Sequence, residues 1–222
     1  MIERITTEER EVILIGTAHV FKESVDEVKE TILSERPEAV CIELDMKRYY
    51  GLMSGGRMSF MEMLKSRGMR FAVIAWILEY IERRIGEEMG IFPGKEMLTA
   101  VECSKEINAN LYLIDRDAEI TIEKMTKVPM REKLKILKNI FFSFFKKEEI
   151  SLELSKENID LLIENLREIS PYLYRVLIEE RDAYMAERIK ELKEKKIVVV
   201  TGAGHIKGMI RNLSGLTVPQ SI

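Results

Sequence analysis

The stretch VVVTGAGH, residues 198–205, decides how this chain is read. Ile197 to Val200 is a β-branched apolar run of strand length, closed by glycine and small residues. Such a run reads as a strand buried on both faces of a parallel sheet. The same pattern, an apolar strand followed by glycine, two small residues and histidine, occurs near the start as ILIGTAH, residues 13–19. The chain of 222 residues has two histidines in all, and His19 and His205 occupy the same place in the two copies.

Outward from the first copy the period changes. Ser24 with Glu27 makes a capping box, and Val25, Val28 and Ile32 recur at helical spacing until Pro37 closes the helix. Ala39–Ile42 is then a second apolar strand, so the first 45 residues make a βαβ unit with parallel strands. Met46 to Gly90 is helical in pattern and rich in methionine. Pro93-Gly94 breaks the chain, Glu96 to Ile107 is an amphipathic helix, and Leu111–Ile114 is a third strand ending at Asp115. Thr121 to Lys196 reads as helices throughout, with Ser170-Pro171 the N-cap and first turn of the last of them. The expected fold is α/β: a mostly parallel β-sheet of four or five strands flanked by helices. It forms a single domain over 1–222, with long helical insertions at about 46–108 and 120–196.

Composition narrows the function classes. Charged residues are 33% and apolar ones 46%, a globular balance, and the net charge of −3 comes without a polybasic tail, which removes the electrostatic support for nucleic-acid binding. The charged N-terminus lacks the apolar core of a leader peptide, and Cys41 and Cys103 are too few for a disulfide framework. The expected location is therefore cytoplasmic.

Ligand sites in open α/β sheets lie beyond the carboxyl ends of parallel strands. Here those ends carry His19, Glu43 with Asp45, Asp115, and His205. Two imidazoles and one or two carboxylates are a ligand set for a divalent transition metal such as Zn²⁺, Mn²⁺ or Co²⁺. The same residues serve a metal-free site in which a histidine is the general base and a carboxylate orients it. Arg181, with Asp182 beside it, falls on the apolar stripe of Ile178, Met185, Ile189 and Leu192. A guanidinium there needs a carboxylate partner, either as a structural ion pair or to stabilise an oxyanion. Arg116 and Asp117 carry the same two readings, and Arg48 and Tyr49 line the same rim. The apolar segments Phe71–Ile81 and Ile140–Phe145 read as core faces of helices or an oligomer interface, a homodimer being the simplest, ahead of a membrane-surface contact.

Taken together, the blocks LIGTAHV (14–20), SVDEV (24–28), PEAVCIELDMKRY (37–49), FPGKEMLTAV (92–101), LIDRDAEITIEK (113–124), EERDAYMAERI (179–189) and VVVTGAGHIKGM (198–209) resemble the TraB family. That group includes the bacterial pheromone-shutdown protein, and its wider superfamily takes in the TIKI proteases, the erythromycin esterases and the ChaN haem-uptake proteins. The resemblance implies that His19, His205, Glu43 and Arg181 converge on one site. The TIKI relatives are metal-dependent proteases and the esterase relatives hydrolyse a lactone, so it also implies hydrolysis. The expected function is a metal-dependent hydrolase acting on a peptide or amide bond. His19 and His205 would be metal ligands with Glu43 as a further ligand or the general base, Arg181 would stabilise the oxyanion or orient Glu43, and Asp115 would support these groups from behind. The alternative is a protein that binds or sequesters a peptide or small ligand without turnover. Many longer members continue into a membrane-spanning C-terminal region. On that basis the chain is either a short member or the cytoplasmic domain of a membrane-associated protein, with Phe141–Phe145 toward the bilayer or toward the further region.

Overall fold

The computed structural model describes residues 1–7, 9–17, 22–54, 68, 69, 71, 74, 94–146 and 156–214. Five strands form one sheet: β1 (Ile2–Thr6), β2 (Glu11–Thr17), β3 (Ala39–Ile42), β4 (Asn110–Leu113) and β5 (Lys196–Gly202), in the order β1-β2-β5-β3-β4. All neighbouring pairs are parallel except β1 with β2. The helices are α1 (Lys22–Glu35), α2 (Met46–Ser54), α3 (Lys95–Glu106), α4 (Ala118–Thr126), α5 (Met130–Lys146) and α6 (Lys156–Ile169). After them come α7 (Pro171–Tyr174), a π-helical turn at Arg175–Glu179, α8 (Glu180–Lys190) and α9 (Ile206–Leu213).

The α/β reading holds, and strand alternation explains its layers. Successive side chains point to opposite faces. Ile13, Ile15, Val40, Ile42, Val198 and Val200 pack with Val28 and Ile32 of α1 and with Met97, Ala100 and Val101 of α3. Their neighbours Val12, Leu14, Ala39, Cys41, Ile197 and Val199 pack on the other face with Met185 and Ile189 of α8 and Ile206 and Met209 of α9. Cys41 is wholly buried, and burial holds its thiol far above the ordinary range, as expected for a small apolar filler.

Two local expectations change. The sequence pattern gives no strand at the N-terminus, yet β1 is the antiparallel edge, with Ile2 opposite Ile15 and Ile5 opposite Val12. An edge strand is covered on one side only and lacks the continuous apolar run that marks the others. Helix α1 begins at Lys22, ahead of the expected cap at Ser24, and Glu27 reaches the amine of Met1 at 2.8 Å rather than closing a capping box. The Ser170 cap is present: its hydroxyl accepts from the Leu173 N–H at 3.2 Å, with Pro171 next. Of the Met46–Gly90 helical stretch the structure describes α2 and four later residues. Most of Phe71–Ile81 and the side chains of Phe141–Phe145 lie outside the described residues. Among the described residues no helix is long and apolar enough to cross a membrane.

Candidate functional site

Because β5 lies between β2 and β3, the carboxyl ends of the parallel strands stand side by side, and Thr17 of β2 is opposite Gly202 of β5. The two glycine–histidine segments also meet. A Cβ on Gly16 would lie 2.7 Å from Ile206 Cγ1 and 3.1 Å from Ala203 Cα, so only glycine lets the second segment fold over the end of β2. His19 lies outside the described residues.

Glu43 follows β3 directly and shares the face of Ala39 and Cys41, the one covered by α8. On α8, Arg181 stands one turn before Met185 and two before Ile189, both wholly buried against the sheet. The two periods meet at one point, and Arg181 Nη2 donates to Glu43 Oε1 in a short contact. The other oxygen, Oε2, accepts from the Thr201 hydroxyl at 2.6 Å and from the Gly202 N–H at 2.7 Å. His205 Nε2 lies 3.3 Å from Glu43 Oε1, while its Nδ1 lies 2.6 Å from Asp182 Oδ1. Asp115 holds Arg181 from behind, accepting from Nε at 3.1 Å and from Nη2 at 2.8 Å. Arg48 Nη1 reaches the same carboxylate at 3.0 Å.

Glu43, Asp115, Asp182 and His205 are all buried. Burial pushes against the charged form of His205, but the Glu43 charge and the hydrogen bonds the ring donates to Asp182 and Glu43 outweigh it and raise the imidazole from 6.5 to about 9. Burial likewise opposes the charge of Arg181, and Glu43 and Asp115 overcome it, so its pKa is raised. Burial raises the Asp182 carboxyl, with the His205 hydrogen bond working in the opposite direction.

A π-helical turn immediately precedes these residues. Its wide register, in which the Glu180 N–H meets the Arg175 carbonyl, presents neighbouring carbonyls to two arginines. Leu177 O accepts from Arg181 Nη1 at 3.3 Å and Val176 O accepts from Arg116 Nη2 at 2.6 Å. Arg116 also donates from Nε to Thr121 Oγ1 at 2.9 Å and from Nη1 to Glu180 Oε2 at 2.7 Å, clamping α4 to the helix that leads into α8. Arg116→Leu is therefore expected to cost about 2–4 kcal/mol in denaturant unfolding, since a buried carbonyl and Glu180 each lose a charged donor.

The structure thus gathers Glu43, Asp115, Arg181, Asp182, His205 and Arg48. It puts Tyr49 elsewhere, packed against the α1/α3 core. Asp45 caps α2, accepting from the Lys47 and Arg48 N–H groups, and Asp117 caps α4. Thr201 and the Gly202 N–H, the inner supports of Glu43, lie within the VVVTGAGH segment, where no residue type marks them as partners of a buried carboxylate. Among the described residues no group of three or more His, Cys, Asp or Glu side chains is arranged to hold a metal ion.

A mostly parallel α/β sheet whose carboxyl edge carries a carboxylate–imidazole–guanidinium cluster is the class that fold and site define. The chain belongs to the TraB/PrgY/gumN family, whose model matches residues 1–217. An uncharacterized protein of Methanocaldococcus jannaschii is 38% identical over 220 residues, covering 94% of this chain and 54% of that protein. TraB domain-containing proteins of Mus musculus and Homo sapiens are 24% and 23% identical, each alignment covering 91% of this chain and 62% of the relative. The chain therefore spans little more than half the length of the curated relatives it matches.

Proposed function

We propose that the chain is a hydrolase acting on a peptide or amide bond at the rim formed by Glu43 and His205. The observation that carries this reading is one buried imidazole held between two carboxylates, Asp182 at Nδ1 and Glu43 at Nε2. Asp182 fixes the ring so that Nε2 is the working nitrogen. With its pKa raised to about 9, His205 is protonated at neutral pH. That suits a general acid delivering a proton to a leaving amine, a group that does not depart as an anion. Arg181 pairs with Glu43, the carboxylate that faces Nε2 and would take a proton from an attacking water. Arg181 is largely occupied by protein acceptors, so its main task is to hold Glu43 in place. Arg48 is half exposed and, among the described residues, is anchored to Asp115 through Nη1, which would leave donors for a substrate carbonyl or carboxylate.

In a second use of the same atoms, with His205 deprotonated at Nε2 and no longer the acid, the donor chemistry suits a divalent transition metal such as Mn²⁺, Co²⁺ or Zn²⁺. His205 Nε2 and Glu43 Oε1 are 3.3 Å apart, about the separation of adjacent tetrahedral ligands at 2.0–2.1 Å bond lengths. The carboxylate on Nδ1 is the usual support of a ligating imidazole. His205, Glu43 and His19 would hold the ion, which when bound supplies Lewis acidity at the scissile carbonyl and acidity to water.

The test is a peptide-library digestion with untagged protein, with and without each metal, read by mass spectrometry for new termini. Cleavage by the wild type, reduced about 10²–10⁴-fold in His205→Ala, is expected. Peptide capture without product, unchanged in His205→Ala, would overturn the hydrolase and leave a sequestering protein.

A further inference from the structure

Helices α8 and α9 cross so closely at one point that no side chain fits between them. A Cβ added to Gly208 would lie 1.7 Å from Asp182 Oδ2, 2.5 Å from its Cγ and 3.1 Å from its Cβ. The obstructing carboxylate is not free to swing aside, because Asp182 is 2% exposed and its other oxygen is 2.6 Å from His205 Nδ1. Helix α9 is not free to retreat either, since Ile206 and Met209 are buried in the same core as Met185 and Ile189 of α8. Gly208 has no left-handed backbone torsion that would call for glycine. By helix propensity alone alanine would be preferred there.

We propose that Gly208 is a positioning residue for His205. The missing side chain is the slot in which Asp182 seats, and Asp182 then fixes the ring with Nδ1 on its own carboxylate and Nε2 toward Glu43. The second segment is thus a longer unit, Gly202 to Gly208, with His205 at its centre and its last glycine shaped for an acid on another helix. The inference concerns the orientation of the imidazole and stands whether the site cleaves a peptide or only binds one.

Gly208→Ala, Asp182→Ala and the double variant test it, in the full chain, by thermal unfolding and by proton NMR of the imidazole N–H region. His19→Ala assigns the signal, since the chain has two histidines. The wild type is expected to show a downfield His205 Nδ1–H resonance from the short carboxylate bond, lost in Gly208→Ala. Gly208→Ala should lower Tm by about 5 °C or more, and the same change made on Asp182→Ala should leave Tm unchanged or raised. If Gly208→Ala does not accumulate folded, recovery of folded protein in the double variant supports the proposal. An unchanged resonance in Gly208→Ala, an equal Tm loss in both backgrounds, or a double variant that also fails to fold overturns it.

Discussion

Glu43→Gln is expected to lower stability by about 3–5 kcal/mol and to reduce any peptide-cleaving activity about 10²–10⁴-fold. The substitution keeps the shape of the side chain and removes only its charge and one acceptor. Each carboxylate oxygen is surrounded by donors: Arg181 Nη2 and His205 Nε2 face Oε1, and the Thr201 hydroxyl and the Gly202 N–H face Oε2. Whichever way the glutamine amide turns, its NH₂ meets donors. Turned inward it faces a backbone N–H that cannot move, and turned outward it faces a guanidinium. Asp115 still pairs with Arg181, which limits the loss on that side. Denaturant unfolding measures the first effect and peptide digestion the second. A variant as stable as the wild type would show that the cluster does not depend on the Glu43 charge.

Raising the pH should also destabilise the protein, and over a defined window. The folded-state pKa of His205 is about 9 against an ordinary 6.5, so the native chain holds this proton more tightly than the unfolded one. Its contribution is fully present below about pH 6.5 and is lost as the pH climbs through 9. The shift corresponds to about 3 kcal/mol. The raised Asp182 carboxyl has the same sign, but its effect begins above 3.8. Unfolding free energies measured from pH 6 to 9.5 should therefore fall steadily in the wild type and much less in His205→Gln. A wild-type profile as flat as that of the variant would mean that the two carboxylates do not share the imidazole proton.

The parts of this architecture that repeat locally were legible in the sequence. Four strands announced themselves by apolar runs, and Glu43 could be placed because it stands at the carboxyl end of one of them. Arg181 could be placed because it interrupts an apolar helical stripe. The close approaches between distant elements were not legible. Nothing around Gly208 marks it as the seat of Asp182, since the constraint is the width of a crossing between two helices. The π-turn at Arg175–Glu179 leaves no local signature either. It is stabilised by Arg116, about 60 residues away in the chain. Strand β1 escaped because an edge strand, half covered, does not need the apolar run by which the central strands were recognised.

The placement of β5 has a consequence for how the chain acquires its structure. The strand in the middle of the sheet is the last to be synthesised, and β2 and β3 each pair with it and never with one another. A nascent chain that has not yet released residues 196–202 holds a β1–β2 hairpin and a β3–β4 pair with no shared edge. The two halves can close into one core only afterwards, through contacts between residues more than 150 positions apart, which slows folding and leaves strand edges open meanwhile. Glu43 gains Thr201, Gly202 and His205 in that same late event, so the imidazole half of the cluster is assembled by the closing of the sheet.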